Sequence, residues 1–583
     1  MGDDSLNATL QMSFETAEPA IAEHPSEHAF QGGASVRAGV REAAEPTVGL
    51  GVQWDEKGRC PPRARGASTF SRVPPSLRRG RLAEARARLG AERTAALRDV
   101  WFSVWSSRLL VWIAGSGAVA VLGFGPVRHA FDPPGVTRGF GRLGDVLAAP
   151  VARWDAAWYL VIAHYGYRPE FGAFTAPRDA FFPLYPLGLR ALSDIGLAPV
   201  IAGVALSVGA FMAALYGLHR LTTLEVARLR RGPGVGVASD PNETGDAPRA
   251  RGGTLGFLSL VGRGPGGVRL AKLDSREVAR LAVLLTAFAP MAFYFSAIYS
   301  ESLYFALSVG LFLCARHGRW RTAALLGALA SATRSTGVVL ILPLLLLYLY
   351  GPRDDRQPER LLVGRSDALA VGGALVHRSG SVLAGLMDML RPRYRLRRDA
   401  LWLALVPLGL GLYMAHLALA GGDPLAPFHA EAVWKRNFAG PYGGIWDGVK
   451  AAFAGLRQLL SFQRGHNYFP VAGGSPFIDA GHNLLLFAFL LLAILMLVGV
   501  LRLLPLAYGA YVLAALALPM SYPVAPQPLM SLPRFLLVLF PLNMWLAATL
   551  SSRPRVLTRA VLVLSGLAMA FFVGEFSTWH WVA

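Results

Sequence analysis

The chain has 583 residues, of which 53% are hydrophobic and only 16% charged. That charge content is well below the roughly 25% of an ordinary soluble domain, and repeated apolar runs of about 20 residues identify an integral membrane protein. The formal net charge of +20 is nearly all arginine, which in membrane chains collects in cytoplasmic loops and sets orientation; with no recognisable nucleic-acid-binding module, a nucleic-acid partner is excluded.

Residues 1–99 read as a cytoplasmic tail. Acids such as Asp3, Asp4, Glu15 and Glu18 dominate its first half, and arginines (Arg63, Arg65, Arg78, Arg79, Arg81) the second. Its weak apolar periodicity predicts disorder, then an interfacial amphipathic helix over about 76–97. The tail lacks the regions of a signal peptide, and its arginines should hold it inside. Asn7-Ala8-Thr9 and Asn242-Glu243-Thr244 match the glycosylation pattern but fall on the predicted cytoplasmic side, so they read as chance. Cys60 and Cys314 imply no disulfide framework.

Hydropathy then places spans at about 101–125 and 199–221, separated by a large polar and aromatic loop. A Gly- and Arg-rich insert over 225–276 follows. Spans at about 278–297 and 302–315 form a hairpin around Tyr299-Ser300-Glu301. The apolar stretch 320–350 is interrupted by Thr333-Arg334-Ser335-Thr336-Gly337. It is flanked by two basic loops, 316–321 and the insert 351–399, and cytoplasmic placement of both requires an even number of crossings between them. Two short helices turning at Arg334 meet that condition, and short helices are tolerated at membrane depth where they line a cavity. Further spans are predicted at about 401–420, 484–501, 505–520, 535–550 and 556–576, about eleven in all. The N-terminus is then inside and the C-terminus outside.

This topology gathers Asp155, Glu301, Arg334, the loop 421–481 and the turn 521–534 on the extracytoplasmic face. Trp154, Trp158, Tyr159, Tyr165, Tyr167, Phe181, Phe182, Tyr185, Trp434 and Tyr442 join them, whereas the cytoplasmic loops carry few aromatics. The working face is therefore expected outside. A transporter would show internal repeats and polar groups at mid-membrane; no convincing repeat is visible, and the polar groups cluster at one face.

Four motifs carry a resemblance: RWDAAWYLVIAHYGY from Arg153, FFPLYPLGLRAL from Phe181, FSAIYSESLYFALS from Phe295 and ASATRSTGVVLILP from Ala330. In order and spacing they resemble the GPI mannosyltransferase 2 (PIG-V) family, over roughly 100–550. The resemblance implies an all-α, polytopic GT-C type glycosyltransferase domain over 100–583. Its active site would lie on the extracytoplasmic face, its donor would be a polyprenyl-phosphate sugar, typically mannose, and its acceptor a glycolipid or glycan. The Arg- and Ala-rich composition looks bacterial, which argues against a GPI acceptor and for the plasma membrane; a eukaryotic member would sit in the endoplasmic reticulum. The same fold could use another polyprenyl-phosphate sugar.

Transfer to a hydroxyl requires a base, and an inverting displacement needs only one carboxylate. Asp155 is the candidate, helped mostly by the resemblance; its bland alternative is a helix N-cap or an ion pair with Arg153. The leaving phosphate gains charge, which suits the planar arginine fork. Arg334 leads the candidates, with helix N-terminal amides around Ser335 to Val338 in support; Arg534 and Arg436 follow. The alternative for Arg334 is snorkelling to the interface. Glu301 is either a second acid at the site or a favourable charge at a helix start. Trp154, Trp158 and Tyr159 are either sugar-stacking rings or belt anchors. No His, Cys or Asp cluster has zinc-ligand spacing, and neither a metal nor a cofactor is expected beyond the lipid-linked donor.

Overall fold

The computed structural model describes residues 75–124, 141–167, 176–231, 273–356, 392–420, 422–429, 436–462, 475–580 and 582. The tail before Pro75, both glycosylation-like tripeptides, Cys60, Trp434 and most of the two inserts lie outside the described residues. The chain divides into a small unit, Ala17–Glu92, and a large one, Met1–Thr16 with Arg93–Ala583. Of the small unit only 75–92 is described, as helix.

Sixteen α-helices of six or more residues organise the described chain. They are α1 (Pro75–Leu122), α2 (Gly141–Ala148), α3 (Ala156–Tyr165), α4 (Leu184–Asp194), α5 (Pro199–Arg231), α6 (Ser275–Ala287), α7 (Glu301–Arg316) and α8 (Trp320–Ser331). Then come α9 (Ile341–Tyr350), α10 (Leu408–Leu419), α11 (Pro441–Ser461), α12 (Pro476–Leu503), α13 (Leu506–Met520), α14 (Leu532–Leu537), α15 (Phe540–Ser551) and α16 (Arg555–Ser577). No strand occurs among the described residues. Helix α7 packs against α5 and α8, α6 against α5 and α15, and α12 against α11.

Among the described residues, four helices are long and apolar enough to cross a membrane: Gly90–Leu122, Pro199–Arg230, Pro476–Leu503 and Arg555–Ser577. A fifth crossing is possible if the 3-10 turn Arg398–Leu405 and α10, bent by 45°, count as one span. The eleven crossings read from hydropathy are thus not eleven continuous helices. Proline accounts for several of the breaks, because it lacks an N–H and disfavours helix in the residue before it. The expected span 278–297 stops at Ala287, ahead of Pro290. The expected span 535–550 is split into α14 and α15, with Pro541 in the first turn of α15.

The segment 288–300 is therefore irregular backbone buried in the core, where every polar group needs a partner. Arg108, 1% exposed in the middle of α1, supplies much of that. Its guanidinium donates to Ala292 O at 2.8 Å, to Ser296 Oγ at 2.5 Å and to the helix-terminal carbonyl of Ala287 at 3.2 Å. Ser207 Oγ donates to Ala297 O and Ser302 Oγ to Phe295 O, and Ile298 N–H bonds Val151 O at 2.8 Å. The strap so held delivers Tyr299, Ser300 and Glu301 to the start of α7.

The stretch 320–350 folds back on itself. Trp320, at the start of α8, meets Tyr348, near the end of α9, with ring centroids 4.8 Å apart. Arg353 lies over both rings, and Asp354 pairs with Arg316 at 3.3 Å. The described start of the second basic loop thus lies beside the first, as parity requires. The turn between the arms is Ala332-Thr333-Arg334, followed by a 3-10 turn, Ser335–Leu340. Gly337 sits there because a Cβ would lie 2.2 Å from Ala330 O.

Candidate active site

The first site motif bends sharply before α3. Trp154 adopts the left-handed region at φ 55, an uncommon and costly conformation for a bulky residue. The Tyr299 hydroxyl secures it from both sides: it donates to Arg153 O at 3.0 Å and accepts from Asp155 N–H at 3.0 Å. Arg153, itself buried, donates through Nε to Ser577 O at the end of α16 and stacks on Trp579. Asp155 occupies the N-cap position of α3, yet its side chain makes no capping bond. Its carboxylate turns instead to Arg534.

Four charged side chains from four chain segments form one network. Arg534 Nη1 donates to Asp155 Oδ2 at 2.8 Å, and Arg534 Nε donates to Glu301 Oε1. Arg334 Nη1 donates to the same Glu301 oxygen at 2.7 Å. Glu301 is wholly buried, Arg534 and Arg334 are 13% and 16% exposed, and Asp155 is the most open at 30%. Glu301 is thus the interior anchor, and Asp155 faces whatever approaches. Glu301 Oε2 has no hydrogen-bond partner. With two cations and two anions the network is formally neutral. Tyr299 and Tyr294 present their faces to the Arg534 guanidinium, at 4.7 and 5.2 Å, a further attraction for a cation.

Three segments converge because each is interrupted where its charge sits. Glu301 opens α7 after the strap. Arg334 is extended (φ −157, ψ 151) between α8 and the 3-10 turn, and Gly337 N–H bonds its carbonyl at 2.9 Å. Arg534 lies in the short helix α14, entered through Ser531 at φ 69. Arg334 also lines a small pocket with Tyr304, Thr336, Ala515, Phe535, Val538 and Leu539.

The aromatic residues take different places. Tyr159 is buried, its hydroxyl paired with Ser300 Oγ at 2.9 Å, and its ring packs on Phe181 and Tyr185. It is a wall of the site rather than a free stacking surface. Trp154 and Trp158 are partly open, against Trp579 and Phe181 respectively. Beyond Phe181, burial pushes the Asp179 carboxyl up to about 6, with Arg178 opposing and Asp423 adding to the rise. Arg436 is half-buried ahead of α11, and the contacts that tie the four charges together are made without it. Among the described residues no group of three His, Cys, Asp or Glu is arranged to hold a metal ion. Tyr299, Tyr294 and Arg108 were not singled out by sequence reasoning, although Tyr299 carried a signal as a neighbour of Glu301 in the third motif; Arg153 was named only as a possible ion-pair partner of Asp155, whose carboxylate instead takes Arg534.

Residues 268–347 match the family described as Mannosyltransferase (PIG-V). The matched stretch contains the third and fourth motifs, and with them Tyr299, Glu301 and Arg334. Among solved structures the chain is similar to an oligosaccharyltransferase of Archaeoglobus fulgidus tethered with an acceptor peptide, at 11% identity and a TM-score of 0.30. That similarity covers 82% of this chain and 56% of the other, so this chain spans little more than half its length. No curated protein matches the chain. The family match bears out the PIG-V-like resemblance and supports a membrane glycosyltransferase.

Proposed function

We propose that the protein is an integral membrane mannosyltransferase of GT-C type, moving mannose from a polyprenyl-phosphate donor to an acceptor hydroxyl on the extracytoplasmic face. The observation that carries this reading is the Asp155–Arg534–Glu301–Arg334 network, a partly open carboxylate joined through one arginine to a buried second one. In a single inverting displacement the acceptor oxygen bonds to the sugar's anomeric carbon as the bond to the phosphate oxygen breaks. Asp155 takes the hydroxyl proton and becomes neutral, and the departing phosphate monoester gains one negative charge. Negative charge thus leaves Asp155 as it builds on the phosphate.

Arg534 suits that exchange. It is paired with Asp155 beforehand; protonation of Asp155 releases one arm of its fork for a phosphate oxygen. Arg334 approaches from the other side of Glu301, and a planar fork binds phosphate oxygens in pairs. Glu301 keeps both guanidiniums in place in a site where rearrangement would be costly, so the electrostatic stabilisation is preorganised. Donor identity rests on the family resemblance, and so does the sugar.

Purified protein supplied with radiolabelled polyprenyl-phosphate mannose and a membrane extract should label a product. Asp155→Asn keeps a hydrogen-bonding side chain beside Arg534 but removes the base, and a general base contributes about 10²- to 10⁴-fold. Labelling should fall by that factor in a folded, inserted protein. Full turnover by Asp155→Asn would refute the catalytic assignment, and transport of the lipid without a labelled product would favour a transporter.

A further inference from the structure

Hydropathy put 421–481 in an aqueous loop, yet the structure holds there a long helix, α11, whose large side chains point the wrong way for water. Its inward face is made of small residues at Gly443, Gly444, Gly448, Ala451, Ala452 and Gly455. These let α11 lie almost backbone to backbone on its neighbours: a Cβ at Gly455 would be 2.8 Å from Ala480 O, and one at Gly444 2.3 Å from Met520 O. The opposite side carries Tyr442, Ile445, Trp446, Phe453, Leu456 and Leu460, all between 41% and 76% exposed. At 3.6 residues per turn these six fill one sector of about 100°, and Lys450 and Arg457 fall together at its edge.

The position of α11 along α12 fixes its depth. Gly455 meets Ala480, near the start of α12, and Gly448 meets Leu529. Leu529 packs in one cluster with Leu486, Leu490 and Met520. Helix α11 therefore runs antiparallel to the first half of α12. That helix is long and apolar enough to cross a membrane, and its own exposed residues Leu491, Leu492, Ile494 and Leu495 continue the apolar sector. Such a contiguous patch of large apolar side chains requires a covering partner.

We propose that the outer sector of α11 is a lipid-contact surface, seated among the hydrocarbon chains of the leaflet at the Asp155 end of the molecule. Continuity with a spanning helix selects lipid over a protein partner, and the charges stay off the apolar sector: Lys450 and Arg457 lie at its edge, with Lys450 paired to Asp447 at 2.6 Å, so no lone charge faces the hydrocarbon. The placement does not depend on the transferase reading. It does touch the site: Ala439 N–H bonds Ser521 O at 2.8 Å, and the turn that begins at Ser521 leads into Arg534.

The test uses the unaltered full-length protein in bilayers doped with a phospholipid carrying a carbene-generating group on its acyl chain. After illumination and proteolysis, mass spectrometry should find Tyr442, Trp446, Phe453 and Leu460 labelled at a level comparable to Leu491–Leu495, with Lys450 unlabelled. Labelled α12 beside unlabelled α11 would overturn the proposal. A nitroxide at Phe453, with Cys60 and Cys314 replaced, separates the remaining occupants. Relaxation by oxygen but not by a water-soluble nickel complex supports lipid. Relaxation by nickel means water, and protection from both means a covering protein or second copy; either refutes it.

Discussion

The Tyr299 hydroxyl grips the peptide groups on both sides of Trp154, donating to one and accepting from the other, while its ring lies 4.7 Å from the Arg534 guanidinium centre. One buried side chain therefore sets the direction of Asp155 and of its cationic partner together. Tyr299→Phe keeps the ring and removes both bonds, leaving the costly Trp154 conformation to be held by the packing of Trp154 on Trp579 and by the Arg153 and Asp155 side-chain bonds on either side. Misplacing a reacting group by about 1 Å costs up to about 10²-fold, so we expect kcat to fall about 10- to 100-fold with donor KM little changed. An unchanged kcat would show that the rest of the turn holds Asp155 unaided. Asp179 offers a pH signature. Its folded value of about 6 lies above the ordinary 3.8, so the fold binds the proton more tightly than the unfolded chain does. The stability it contributes is present below about pH 4 and is lost as pH rises through about 6. Asp179→Asn should therefore raise the melting temperature at pH 7.5 and leave it unchanged near pH 4; a difference independent of pH would contradict this. At this scale the sequence was partly readable. Asp155, Glu301, Arg334 and Arg534 could be chosen because a charge in an apolar chain demands a reason. Tyr299 could not, since a tyrosine among aromatics reads as core until its hydroxyl partners are seen. Arg108 was equally silent and Arg153 was read only as a possible partner of Asp155, because their partners are mainly backbone carbonyls and rings far along the chain.

Breaks in helices, rather than helices, position the charges. Arg334 reaches Glu301 because α8 ends at Ser331 and the chain extends before turning again, and Arg534 reaches it because α14 stops after six residues. Hydropathy averages over such breaks, which is why the expected spans 278–297 and 535–550 ran through them. The fold-back at 320–350 was legible for a different reason: the charges flanking it fixed its parity. Helix α11 escaped notice because Asp447, Lys450 and Arg457 lower its mean hydropathy, although its apolar residues share one sector. Gly337 tests the importance of the Arg334 break. A methyl group there would meet Ala330 O at 2.2 Å and Ser331 N at 2.3 Å, both backbone atoms with little freedom to retreat. Overpacking of this kind costs about 1–3 kcal/mol. Gly337→Ala should lower the melting temperature and, by pushing Arg334 off Glu301, raise the KM for donor. Gly411→Ala, inside α10 with nothing within 4 Å, serves as the control: it should leave the KM unchanged and hold or raise the melting temperature, since alanine is the better helix former. Equal behaviour of the two variants would mean that the turn yields without moving Arg334.

Within the large unit, the charges form two layers at opposite ends of α7. Glu301 opens that helix within the Asp155 network, and Arg316 closes it in a second one. There Arg316 is buried against Glu225, which also accepts from Tyr508 Oη at 2.9 Å, and Asp354 joins at 3.3 Å. A helix rises about 1.5 Å per residue, so the layers stand about 22 Å apart, within the roughly 30 Å hydrocarbon thickness of a bilayer. Core residues such as Tyr304, Phe305, Val309 and Phe312 fill the space between. The second layer carries the arginine-rich loops and should face the cytoplasm; the first then faces outward, where a lipid-linked donor and its acceptor would meet. Exposed positions at each end allow the assignment to be read chemically. His317 lies beside the second layer, with 43% of its side chain open, and Asp423 lies beyond the first, with 47% open. In a protein lacking Cys60 and Cys314, Asp423→Cys should react with an impermeant maleimide added to sealed cells, and His317→Cys only after permeabilisation. The reverse pattern would invert the orientation and move the proposed transfer to the cytoplasmic face. Reaction of both from one side would mean that the two charged layers do not straddle the bilayer, and that α7 lies within it without crossing.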